Sequence, residues 1–238
     1  MAAMMYQPTF DPIESLSDEQ LQQAIADRLN KQLNNMAVAT QTAQFFMDSL
    51  LNWHAESVPV TQVESILAFA FGNRISLNGN QHPGPMNEAI ADSVVLLYRQ
   101  NAVPVYAQWE VAEAIGSRIP VHDLNAIYPR LSGKGNTKYL CTQGVAEKAV
   151  LMAGSVSNLG KTAVVAFFEH SLRTVDTARE AGIDAFLPQG LEMPRQFDPD
   201  SGQAWTRDQQ TYVMHEIRTR ATNERDRLIQ NAVDDNSK

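Results

Sequence analysis

One cysteine, Cys141, stands in 238 residues. An internal disulfide framework and a multi-cysteine metal site are therefore excluded. The five histidines, His54, His82, His122, His170 and His215, fall in no HExxH or comparable ligand spacing, so no metal site is expected. Positive charge is scarce. With 19 Lys and Arg against 27 Asp and Glu, the net charge is −8. Such a chain repels phosphate backbones and anionic headgroups, so neither nucleic acid nor a membrane surface is an expected partner. No run approaches the ~18 apolar residues that read as a bilayer span. The opening stretch MAAMMYQPTF has no basic segment ahead of an apolar one, so no signal peptide is expected and a cytoplasmic protein is. Twelve glycines and eleven prolines are too few for a collagen-like or low-complexity chain. What remains is a globular protein of one domain, or one domain with an appendage.

Residues 1–15 read as a loose arm. Ser17 and Gln20 form a capping-box pair, and Leu21, Ile25, Leu29, Leu33 and Met36 follow at helical spacing. A second stripe, Phe45, Phe46, Leu50 and Trp53, continues or restarts the helix after Val38, and Pro59 ends this region. Beyond it, short apolar runs alternate with helical stripes. The runs are Ile66–Phe71, Val103–Ala107, Tyr139–Cys141, Thr162–Phe168 and Asp184–Pro188. The cluster at 132–136 reads as loop, and Val213, Ile217, Ala221 and Leu228 mark a long C-terminal helix. Strands alternating with helices imply βαβ units. Continuous apolar strands imply a sheet buried on both faces. The expectation is a doubly wound α/β domain over 60–238 with a mainly parallel sheet. An N-terminal arm and helices over 1–59 pack on it.

Ligands of such sheets bind beyond the carboxyl ends of the strands. The residues there are Gly72-Asn73-Arg74, Gln108-Trp109-Glu110, Thr142-Gln143-Gly144 with Glu147 one turn on, and Glu169-His170-Ser171 with Arg173. His170 follows the strongest strand, and His plus Arg at a helix N-terminus suit an anionic group. The expected roles are His170 as acid/base, Arg173 as anion contact and Glu110 as polar partner deeper in the cleft. Gly72, Asn73, Arg74, Gln108, Thr142, Glu147 and Ser171 are the further ligand-binding candidates.

Other signals read as structure. Gly154 to Thr162 resembles a phosphate loop one residue too long, and it precedes a strand instead of following one. Arg218, Arg220, Arg225 and Arg227 alternate with Glu216, Glu224 and Asp226, as on a solvated helix face. Cys141 with His170 as its base is an alternative nucleophile, although a lone strand cysteine is more often a small buried apolar residue.

In order along residues 63–190, several segments resemble one family. They are Ile66–Asn73, Asn87–Pro104, Cys141-Thr142-Gln143-Gly144-Val145-Ala146-Glu147-Lys148-Ala149, and Phe168–Arg179 with its His170 and Arg173. Together they resemble the bacterial domain of unknown function typified by YdcF, SanA and ElyC. Two positions depart from it. Ala107-Gln108-Trp109-Glu110 stands where the family has Ser-Gly-Gly, and Lys148 where it has Asn. The envelope anchor usual in members such as SanA and ElyC is not expected in this chain. The resemblance implies a Rossmann-like three-layer fold and a ligand site at the strand ends, and no particular reaction.

The expected function is binding of, or action on, a small phosphate- or nucleotide-bearing ligand, with a nucleotide or an S-adenosylmethionine-like molecule as the candidate cofactor. An enzyme of this layout would be a hydrolase or transferase. The alternatives are a degenerate, non-catalytic partner-binding module and a Cys141-dependent hydrolase or transferase.

Overall fold

Ser17 opens the first helix through the reciprocal bonds its spacing predicts. Its Oγ accepts from the Gln20 N–H, and the Gln20 side chain accepts from the Ser17 N–H. The computed structural model describes residues 16–129 and 140–235. The arm over 1–15, the cluster at 132–136 and Tyr139 lie outside them. The chain divides into two compact units between Trp53 and His54.

The first unit holds α1 (Asp18–Leu33) and α2 (Met36–Phe45), the latter running into a π-helical turn, Phe46–Leu50. Asn34 ends α1 with φ +49°, a left-handed conformation that asparagine tolerates better than most residues. The restart comes at Met36, two residues earlier than the Val38 of the sequence reading.

The second unit begins six residues before the expected boundary at 60. Residues 54–59 belong here because they supply an edge strand, β1 (Ser57–Val58). Then follow β2 (Ser65–Ala68), the hairpin β3 (Arg74–Ile75) and β4 (Gln81–His82), α3 (Gly84–Gln100), β5 (Val105–Gln108), α4 (Trp109–Ile115) and β6 (Leu124–Ile127). The remainder is α5 (Thr142–Ala153), β7 (Lys161–Val165), α6 (Phe168–Glu180), β8 (Asp184–Pro188) and α7 (Gln209–Asp235). Six strands form one parallel sheet in the order β1-β8-β7-β2-β5-β6.

Strand alternation explains the three layers. Ile66, Ala68, Val105, Ala107, Ala163 and Val165 face a core shared with Ile90 and Val94 of α3 and Val111 and Ile115 of α4. Leu67, Tyr106 and Val164 face the opposite core, shared with Val145 and Ala149 of α5 and Val175 and Ala178 of α6. Each large side chain so buried contributes roughly 1.5–3 kcal/mol. The fold is thus the doubly wound, Rossmann-like α/β architecture that the alternating runs predict.

The chain winds outward from β2 to β5 and β6, then crosses back to β7 and β8. Winding therefore reverses between β2 and β7, the place where such sheets open a crevice at their carboxyl edge. Two strands differ from the sequence reading. No strand forms at Leu140-Cys141, where Cys141 is the N-cap of α5. The strand beside β5 is β6, a half-exposed edge whose Leu124-Asn125-Ala126-Ile127 lacks a continuous apolar run. Among the described residues no helix is long and apolar enough to cross a membrane.

Candidate functional site

A cleft of about 940 Å³ opens at the predicted edge. Its inner end is lined by Phe71 and Gly72 after β2, Gln108 at the end of β5, Thr142 at the start of α5, and His170 and Arg173 of α6. Trp205 and the face of α7 from Tyr212 to Gln230 form another wall. Gly72, Gln108, Thr142, His170 and Arg173 are therefore brought together, from four separate stretches of chain.

The other candidates point elsewhere. Glu110 is fully buried, does not line the cleft, and neither carboxylate oxygen has a hydrogen-bond partner. Burial pushes its carboxyl up to about 7; the Gln108 amide and its own backbone N–H, outside bonding geometry, oppose the rise. Asn73 is buried with its side-chain amide unbonded, while its carbonyl accepts from Gly202 N–H and Ser201 Oγ. Arg74 makes a two-pronged ion pair with Asp198, at 2.8 and 2.9 Å, that ties the hairpin to the 198–201 segment. Glu147 is exposed on α5 and accepts from Gln143. Ser171 turns back and donates to the Phe168 carbonyl. Glu110 and Ser171 lie on helices, where successive positions turn by about 100°, so only some face the crevice. Glu147 was expected after a strand at 139–141 and belongs instead to α5, which Cys141 caps.

Gly72 has a conformational reason for its identity. Its φ is +64°, and a Cβ there would lie 2.7 Å from both Ser201 Oγ and Thr206 Oγ1. Those hydroxyls share a hydrogen bond of 2.7 Å. Asn87 clamps the same turn from α3. It accepts from Phe71 N–H and donates to the Gly72 and Pro83 carbonyls. Gly72→Ala is expected to cost about 2 kcal/mol or more in denaturant unfolding, from left-handed strain plus the clash. A loss below about 0.5 kcal/mol, the scatter of neutral surface changes, would show that the turn is free to relax.

At the cleft floor Arg173 organises a buried network. Its Nε donates to both oxygens of Glu216, at 2.8 and 3.0 Å. Its Nη1 donates to Thr142 Oγ1 at 3.1 Å, and its Nη2 lies 3.0 Å from His170 Nδ1. Glu216, which has no exposed surface, also accepts from Tyr212 Oη and from Arg220 Nε, each at 3.0 Å. This corrects the reading of the α7 charges as a solvated face. Glu216 and Arg220 are buried, whereas Arg218, Arg225 and Arg227 are exposed. The missed signal is the spacing Tyr212, Glu216, Arg220, one helical turn apart on one face.

Burial works to raise the Glu216 carboxyl, but the charge of Arg173, whose Nε bonds both of its oxygens, overcomes it and holds the group well below the usual carboxylate range. Burial, then the charge of Arg173, pushes His170 down to about 4, so the ring is neutral at pH 7. A guanidinium only donates, so His170 Nδ1 must accept and the ring proton sits on Nε2. Thr142 likewise accepts from Arg173, which leaves its own O–H proton to be donated elsewhere. Cys141 is exposed and lines the same cleft. As N-cap of α5 it makes no side-chain capping bond. Among the described residues no group of three His, Cys, Asp or Glu side chains is placed to hold a metal ion. In comparisons with known proteins, no family model, curated protein or solved structure matches the chain.

Proposed function

We propose that this chain binds a small molecule by an anionic group, a phosphate before all others, at the carboxyl ends of β2, β5 and β7. One observation carries the reading: Arg173 leaves its two cleft-lining neighbours, His170 and Thr142, as hydrogen-bond donors. His170 is left with Nε2–H and Thr142 with its O–H. The bonds to Glu216, Thr142 and His170 use three of the five guanidinium N–H groups, and the first-turn N–H groups of α5 add further donors. The one carboxylate of the network is sealed from solvent. Donors converging on the floor suit an oxyanion.

His170 takes a different part here from the acid/base first expected. Neutral, with its basic nitrogen already bonded, it offers a fixed N–H to an oxygen that carries or develops negative charge. If the chain is an enzyme, a hydrolase or transferase, this N–H stabilises charge on the transferred group. We rank the Cys141 nucleophile second, because the His170 ring in this reading has no free lone pair with which to take its proton. The open cleft favours a ligand over the partner-binding module. Likeness to the YdcF-type domain rests on the segments quoted above and is part of this proposal.

A thermal-shift panel of phosphates and nucleotides tests the reading. A ligand at 100 times its dissociation constant adds about 2.7 kcal/mol, a shift on the order of 5–10 °C for a chain of this size. His170→Ala is expected to weaken binding of the same ligand by about tenfold or more in a calorimetric titration, the loss of one charge-assisted hydrogen bond. A flat panel in the wild-type protein would overturn the proposal.

A further inference from the structure

The wall that leads away from the anion floor begins on α6. His170, Arg173 and Thr177 follow one another at spacings of three and four, so they share one face of that helix, and all three line the cleft. Thr177 is 5% exposed. A helical threonine commonly returns its hydroxyl to a carbonyl of the preceding turn. Thr174, Thr219 and Thr222 do so, to Ser171, His215 and Arg218. The Thr177 hydroxyl makes no such bond. It has no hydrogen-bond partner among the described residues, and it opens on the cleft instead of being enclosed. Polar groups at that depth are bonded as a rule, so an unspent donor and acceptor here mark a place for a ligand atom.

The helix sets the separation. Residues four apart have Cβ atoms about 5–6 Å from one another. Helical side chains lean toward the N-terminus, and the Arg173 guanidinium reaches back to His170, 3.0 Å from Nδ1. The short Thr177 side chain stays behind. Its hydroxyl therefore lies one to two turns from the anion donors, about 5–10 Å. Threonine both donates and accepts, as an alcohol does. An alkyl chain at this point would displace water and leave the hydroxyl unmatched. Glu180, three residues on, is exposed and lines the outer cleft, where Arg227 is already engaged by Glu224 at 2.8 Å. A second anionic group is opposed there, whereas a neutral hydroxyl is not.

We infer that the site takes a hydroxylated phosphate monoester, a sugar or polyol monophosphate, with its phosphate on Arg173, His170 and Thr142 and a hydroxyl of its neutral body on Thr177. This rests on the anion-binding reading above and adds to it the residue that selects the alcohol. At about 1.5 Å per bond, glycerol 3-phosphate and glucose 6-phosphate hold hydroxyls roughly 4–8 Å from phosphorus. With a hydrogen bond of about 3 Å at each end, that covers the separation along α6.

The test is calorimetric titration of the full chain with inorganic phosphate, propyl phosphate, glycerol 3-phosphate and glucose 6-phosphate, repeated with Thr177→Val, Thr177→Ala and Thr177→Ser. At least one hydroxylated ester is expected to bind about tenfold or more tighter than propyl phosphate, which leaves a buried hydroxyl unmatched. Thr177→Val, which keeps the volume, and Thr177→Ala should each erase that preference, and Thr177→Ser should retain most of it. Equal affinities for the three esters, or a preference for propyl phosphate, would overturn the hydroxyl subsite and leave the anion site standing. A preference that survives Thr177→Val and Thr177→Ala, with the esters weakened together or not at all, would also overturn it. No binding of any of the four by the wild-type protein would overturn the anion reading and this inference with it.

Discussion

Glu216→Gln is expected to destabilise the protein by about 3–5 kcal/mol, the cost of removing one partner from a buried ion pair. The carboxylate has no exposed surface and is shared by Arg173 and Arg220, whose side chains are 13% and 6% exposed. The amide keeps the volume and can still accept one bond, so packing changes little. What is lost is the compensation of two sequestered guanidiniums. Denaturant unfolding should show the deficit, and the melting temperature should fall by roughly 10 °C. Ligand affinity should fall as well, because Glu216 holds Arg173 in the posture that aims His170 and Thr142. Glu216→Asp, with charge retained and reach shortened, should fall between the two. A deficit below about 1 kcal/mol, the range of exposed pairs, would mean that water reaches the network.

The second large effect is a pair of opposed pH dependences. Glu110 has its folded pKa raised from 4.5 to about 7, chiefly by burial. The folded protein then keeps a proton that the unfolded chain has released. Its stabilising contribution is full below 4.5 and is lost as pH rises through 7. His170 has its folded pKa lowered from 6.5 to about 4, by burial and then by Arg173. Its contribution is full above 6.5 and is lost as pH falls through 4. Each shift corresponds to roughly 3 kcal/mol, and in the wild-type protein the two slopes largely cancel.

Glu110→Gln breaks the balance. At pH 8 the variant is expected to be roughly 3 kcal/mol more stable than wild type, since the amide carries no charge into the core. At pH 4.5 the two should nearly coincide. The variant's stability should climb with pH between 4 and 6.5, with His170 alone, and His170→Gln should show the reverse slope. A difference between Glu110→Gln and wild type that is constant from pH 4.5 to 8 would show that Glu110 titrates as an exposed carboxyl.

The central strands were legible in the sequence because β2, β5 and β7 are buried on both faces and so read as unbroken apolar runs. The edges were not. β1 has two residues, and β6 carries Asn125 in a half-exposed strand, so neither leaves a periodic signature. Of the strand expected at 139–141, the described residues Leu140 and Cys141 instead lead into α5. Of the cleft lining, the strand-end rule reached Gly72, Gln108, His170 and Arg173, since it needs only chain order; Thr142 came from a strand that does not form and lines the cleft as the first residue of α5. The rule also drew in Glu110 and Ser171, whose helical phase turns them away from the crevice.

Composition and pattern by themselves determined a doubly wound α/β fold and the sheet edge at which a cleft opens, because burial on two faces and strand–helix alternation are written locally. Tertiary structure alone decided the chemistry of that edge. Glu216, Tyr212 and Arg220 lie some forty residues beyond Arg173 in the chain, and charge at those positions reads as solvent exposure until α7 packs against α6. That packing removes water from Glu216, locks Arg173 onto it and leaves His170 as a neutral donor. A residue's charge state and hydrogen-bonding role depend on which groups surround it, and chain order does not record those neighbours.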